Sequence, residues 1–192
     1  MDNSYTSFDG NRYLASGSLA QMALATKRAL ERGASGPVLI FDDCTGRSID
    51  VDTRGSDQDV VARLTPATPP APADEPRSRG RPKLGVVPRE VTLLPRHWEW
   101  LATQPGGASV ALRKLVEEAR RNRMGQDARR KAQERAFHFM SAIAGDLPGF
   151  EDAMRALFAD DPMRFAEHIR SWPHDVRHHA GKLAFAGPMS TA

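Results

Sequence analysis

Five prolines between residues 66 and 76 (Pro66, Pro69, Pro70, Pro72 and Pro76) set the first limit on how this chain folds. Each removes a backbone donor and fixes φ, so no helix interior or central strand runs through them. Their neighbours are mostly Ala and Thr, with too few large hydrophobes to form a core. The 192 residues are therefore divided into folding segments on either side of a flexible linker, 65–88. A 40% hydrophobic content, with 8 Phe, 3 Trp and 2 Tyr, suits modest cores rather than one large one. No run approaches the ~18 apolar residues of a membrane span, and Met1-Asp2-Asn3-Ser4 does not begin a basic-then-apolar signal. A single cysteine, Cys44, leaves no internal disulfide. These features predict a cytoplasmic protein.

Before the prolines, residues 1–64 read as a small α+β domain. Asp9-Gly10-Asn11 is a hairpin turn between Thr6-Ser7-Phe8 and Arg12-Tyr13-Leu14. Ser18 caps a helix to about Arg32, stopped by Gly33. Pro37 to Phe41 reads as a buried strand, and Ser48 to Asp52 alternates as a half-buried one. A short helix, 56–64, completes the unit. Strand, strand, helix, strand, strand predicts an antiparallel sheet with a covering helix.

Charge is strongly segregated. Residues 1–75 carry 7 Lys+Arg against 11 Asp+Glu, 76–135 carry 15 against 6, and 136–192 carry 5 against 7. A middle of +9 between mildly acidic ends is the footprint of an anion-binding segment. It opens with Arg77-Ser78-Arg79-Gly80-Arg81-Pro82-Lys83. Pro82 biases Arg81 toward extended backbone, and Gly80 brings the chain close to a groove floor. These residues resemble an AT-hook. The resemblance implies that Arg79 and Arg81 enter an A·T-rich minor groove, flanked by Arg77 and Lys83.

Residues 89–123 follow. Arg89-Glu90-Val91-Thr92-Leu93-Leu94 is strand-like, Pro95 opens a helix to about Gln104, and Pro105-Gly106-Gly107 breaks it. Ser109 caps a second helix, with Leu112, Leu115, Val116 and Ala119 inward. This order resembles a ribbon-helix-helix module. The resemblance implies an intertwined homodimer, whose paired strands face a major groove and whose second helix offers N–H groups near Ser109 to a phosphate. The strand departs from the pattern. One phase buries Glu90, Thr92 and Leu94 and leaves Arg89, Val91 and Leu93 outside; the other turns Glu90 toward the groove. Neither gives a face suited to reading bases. Trp98 and Trp100 read as core and dimer-interface residues.

From Arg120 the chain is mostly helical, and the basic stretch is expected as two helix pieces hinged at Gly125. Shorter helices over 150–158, 161–172 and 174–184 complete a helical C-terminal unit, 124–186, before a tail, 187–192. Four stretches also carry a resemblance across nearly the whole chain to a bacterial family of domain-of-unknown-function proteins: Asp42-Asp43-Cys44-Thr45-Gly46-Arg47, Gly80-Arg81-Pro82-Lys83-Leu84-Gly85-Val86, Leu94-Pro95-Arg96-His97-Trp98 and Ala144-Gly145-Asp146-Leu147-Pro148-Gly149-Phe150. It implies no activity.

Catalytic patterns are not evident. Asp42, Asp43, Asp50 and Asp52 are placed to meet across the 38–54 hairpin and hold a hard cation, although a solvated acidic face is the plainer reading. His174 and His178 have a chelating spacing without a cysteine partner. Cys44 has no basic neighbour in sequence. The sequence therefore predicts a non-enzymatic, cofactor-free DNA-binding homodimer, a transcriptional regulator or nucleoid-associated protein. Its contacts are Arg77, Arg79, Gly80, Arg81, Pro82, Lys83, Arg89 and Ser109, and its target is A·T-rich duplex. The alternative is an antitoxin-like module that grips a protein partner, and a distant third is a metal-dependent enzyme.

Overall fold

Local signals place most elements of the computed structural model, which describes residues 4–65 and 87–185. The chain is mixed α+β, as expected. β1 (Tyr5–Asp9) and β2 (Arg12–Gly17) form the hairpin, with Gly10 at φ +56 in its two-residue turn, a conformation glycine enters freely. α1 (Leu19–Glu31) starts at a capping box in which Ser18 and Gln21 bond each other's backbone. β3 (Val38–Asp42) and β4 (Ser48–Ile49) complete an antiparallel sheet of order β2-β1-β3-β4. α2 (Asp57–Leu64) starts at a second capping box, Ser56 with Asp59. The strand expected over Ser48–Asp52 is only two residues long, because Asp52 turns to Arg54 at 2.9 Å and Arg63 at 3.7 Å.

Two compact units emerge, one of residues 1–66 with 125–192 and one of residues 67–124. In the second, α3 (Pro95–Ala102) begins with Pro95 in its first turn, and α4 (Gly107–Ile143) begins two residues before Ser109. Ser109 therefore lies inside the first turn rather than at the cap. No strand forms over 87–94 in the described chain, since a lone strand has no ladder partner for its N–H and C=O groups. The hinge expected at Gly125 is also absent: α4 runs through it without interruption for 37 residues. One glycine costs a helix about 1 kcal/mol, which neighbouring helix formers absorb.

The first unit joins the segments before and after the central one, which the sequence reads as separate domains. Register explains why. Thr6 lies opposite Phe41 and Phe8 opposite Leu39, so these four side chains share one sheet face. On that face Phe8 and Phe41 pack on Phe139 of α4 at 5.4 and 4.8 Å between ring centroids. His179 of α7 (His174–Phe185) closes the group at 5.5 Å from Phe8 and 4.7 Å from Phe139. The same core continues through Met140, Leu157, Phe165, Ile169, Trp172 and Leu183. Leu157 belongs to α5 (Phe150–Phe158) and Phe165 to α6 (Pro162–His168), the latter capped by Asp161. The opposite sheet face carries Ser7 and Ile40, paired in register, and α1 packs against the sheet through its buried Met22, Ala23 and Thr26.

Backbone contacts fasten the same junction. Tyr13 N–H donates to Asp175 at 2.9 Å, and Arg135 Nε donates to the Leu183 carbonyl at 2.6 Å. Gly46, at φ +69, lies where a Cβ would overlap the Arg135 carbonyl oxygen. Gly46→Ala is therefore expected to cost more than about 2 kcal/mol, read as a lowered urea midpoint. Gly125→Ala meets no atom within 4 Å and is expected to raise stability by about 0.5–1 kcal/mol.

Candidate nucleic-acid interface

Of the sequence-predicted contacts, Arg77, Arg79, Gly80, Arg81, Pro82 and Lys83 lie outside the described residues. Arg89 and Ser109 are described, and both are exposed. The structure gives them no common site. Ser109 is bound locally, its carbonyl accepting from Arg113 Nε at 3.2 Å.

The described part of the second unit nevertheless presents a dense set of exposed cations: Arg89, Arg96, Arg113, Lys114, Arg120, Arg121 and Arg123. Within it, Arg120 is held by Glu117 at 2.9 Å. That hydrogen bond and charge pull the Glu117 carboxyl below its ordinary range and push the Arg120 guanidinium up. Arg89, Arg96, Arg113, Lys114, Arg121 and Arg123 have no acidic partner among the described residues. One face of α4 brings Arg113, Lys114 and Arg121 together beside Glu117 and Glu118. A phosphate approaching that face meets three cations and two carboxylates, so attraction there is modest. Arg89, singled out from the sequence, shares its exposure and lack of an acidic partner with Lys114, Arg121 and Arg123, which the sequence reading did not name as contacts.

The same unit exposes hydrophobic side chains: Trp98 is 42% accessible, Trp100 51%, and Val116 65%. Leu101 is buried. Trp98 and Trp100 project about 200° apart on a helix, so one neighbouring helix cannot cover both. Leu115 and Val116, expected inward, are also exposed.

The carboxylates proposed for a metal do not meet. Asp42 accepts from Cys44 N–H at 2.8 Å and Thr45 Oγ1 at 3.1 Å within its own turn. Asp52 is held by Arg54, whose hydrogen bonds pull its carboxyl far below the usual range. No group of three His, Cys, Asp or Glu side chains suited to a metal occurs among the described residues. His174 and His178 stack at 6.1 Å without a third ligand. Asp43 lies elsewhere, with its Oδ1 3.5 Å from His179 Nε2. Both atoms are buried with no hydrogen-bond partner among the described residues. The chelating spacing of His174 and His178 gave His179 no role. Its spacing from Val176, Ala180 and Leu183, all buried, was the available signal that it faces the core. Arg135, distant in sequence, feels the charges of both Cys44 and Asp43, while burial pulls its pKa down; the local reading of Cys44 missed it.

A family model matches residues 4–184. The chain belongs to the DUF2239 family of uncharacterized proteins conserved in bacteria. No curated protein and no solved structure matches it. Nearly the whole chain falls inside the family boundaries, so the two units are parts of one family architecture.

Burial pulls the His179 pKa from 6.5 down to about 4, against the attraction of Asp43 and with repulsion from Lys182 and His178. The native state keeps this ring neutral while the unfolded chain protonates below about 6.5. Stability is therefore present above that pH and lost as pH falls toward 4, by up to about 3 kcal/mol. Urea unfolding at a series of pH values checks this. His179→Phe is expected to flatten that part of the profile.

Proposed function

We propose that this DUF2239 protein is a non-enzymatic, cytoplasmic DNA-binding homodimer that acts as a transcriptional regulator or nucleoid-associated protein. Arg79 and Arg81 insert into A·T-rich minor groove, and the 89–123 module contacts phosphates. The observation that carries this reading is the run of exposed cations on the second unit, six of them without acidic partners among the described residues. Uncommitted guanidinium and ammonium groups can neutralise phosphates and release counterions without first breaking an ion pair. Two copies of the hook on one dimer raise effective concentration, so weak single contacts add.

The exposed Trp100, Leu115 and Val116 support the dimer, because a second copy of the ribbon-helix-helix-like module would cover them. The same exposure favours a second reading, an antitoxin-like module that grips a different protein and leaves DNA alone.

A gel shift on A·T-rich and G·C-rich duplexes tests the first reading. Affinity is expected to fall by a factor on the order of 10³ or more between about 50 and 200 mM salt if six or more phosphates are neutralised. Arg79→Ala with Arg81→Ala is expected to remove the A·T preference. Lys114→Ala with Arg121→Ala is expected to weaken both duplexes equally. No retardation at low salt overturns the reading. In sedimentation, a dimer that dissociates on Val116→Glu is the expected state; a monomer in both forms favours the protein-partner reading.

A further inference from the structure

The β1–β2 hairpin and the C-terminal end of α1 enclose a cleft of about 320 Å³ in the first unit, away from every residue assigned above. Three arginine residues line it: Arg12 from β2, and Arg28 and Arg32 from the end of α1. A helix C-terminus attracts cations, which accounts for the two on α1. It does not account for Arg12, which arrives from another element.

Asp9 holds Arg12 in place. Its side chain is 2% exposed and accepts from Arg12 Nη2 at 3.1 Å and from Gly36 N–H at 3.0 Å. Burial alone would raise the Asp9 carboxyl, but the bonds from Gly36, Ser35 and Arg12 outweigh it and keep it low. The carboxylate is thus committed and cancels one charge. Arg28 reaches Asp57 only at 3.5 Å and shares it with Lys27, which is closer at 2.8 Å. Arg32 has no acidic partner among the described residues. The cleft therefore keeps positive charge with N–H groups to spare.

Its wall is apolar. Leu14, Ala25 and Ala29 are half-buried and line the same space. A solvated arginine patch has no need of such a wall, whereas a ligand with an anionic head and an apolar body uses both parts. Guanidinium groups bind phosphate oxygens in bidentate fashion, more strongly than neutral donors do. The volume lies within the range of small-molecule sites.

We infer that this cleft binds a small organic phosphate, with Arg12, Arg28 and Arg32 on the phosphate and Leu14, Ala25 and Ala29 against its carbon body. The inference stands apart from the DNA-binding reading and survives its failure.

The test is amide NMR of the full chain titrated with phenyl phosphate, inorganic phosphate and a short duplex in turn. Phenyl phosphate is expected to shift amides of residues 28–36 saturably, and to bind about tenfold more tightly than inorganic phosphate through its ring. Arg32→Ala is expected to weaken it at least about tenfold, with Arg32→Lys between the two. Arg32 is exposed, so an unchanged melting curve separates lost binding from lost folding. Absence of saturable shifts at millimolar phenyl phosphate overturns the inference, as does an Arg32→Ala variant that binds like the parent. Shifts at these amides from the duplex but not from phenyl phosphate also overturn it, by assigning the cleft to nucleic-acid phosphates.

Discussion

The contact of Phe8 and Phe41 with Phe139 and His179 is the interaction on which the first unit depends. A four-stranded sheet with one helical cover has a second apolar face, which must be buried against something. Here that something is supplied from beyond the proline-rich segment and the central unit. Edge-to-face ring pairs at these spacings contribute about 0.5–1.5 kcal/mol each beyond area burial. The consequences spread outward. His179 is held neutral, Asp43 is turned toward it, and Gly46 must lack a side chain to lie against Arg135.

This arrangement gives the central segment an unusual place in the chain. Residues 67–124, the second unit, separate the two sequence segments of the first. The basic residues from Arg113 to Arg135 all lie on α4, which is a single helix across the boundary at residue 124.

Elements governed by nearest neighbours were legible in the sequence. Ser18, Asp161 and Pro95 mark helix starts, and Asp9-Gly10-Asn11 marks a hairpin, because each acts through bonds a few residues long. What depends on distant partners was not legible. The union of the two outer segments rests on ring contacts between residues far apart in sequence. The shortened β4 reflects capture of Asp52 by two arginines, while Asp42 turns to its own loop and Asp43 to Ser4 and His179, so these three carboxylates face different partners. The candidate interface was legible as charge but not as geometry. Composition located the cations, while only the structure shows which carry ion pairs and which are uncommitted.

Native-state hydrogen exchange on the full chain tests the central claim, that residues before and after the insertion form one cooperative unit. The expected result is that β1 and β3 amides share a common opening free energy with α7, and that Phe139→Ala lowers it equally in all three. If the sheet keeps its protection while α7 loses it, the outer segments are separate domains and the shared core is contradicted.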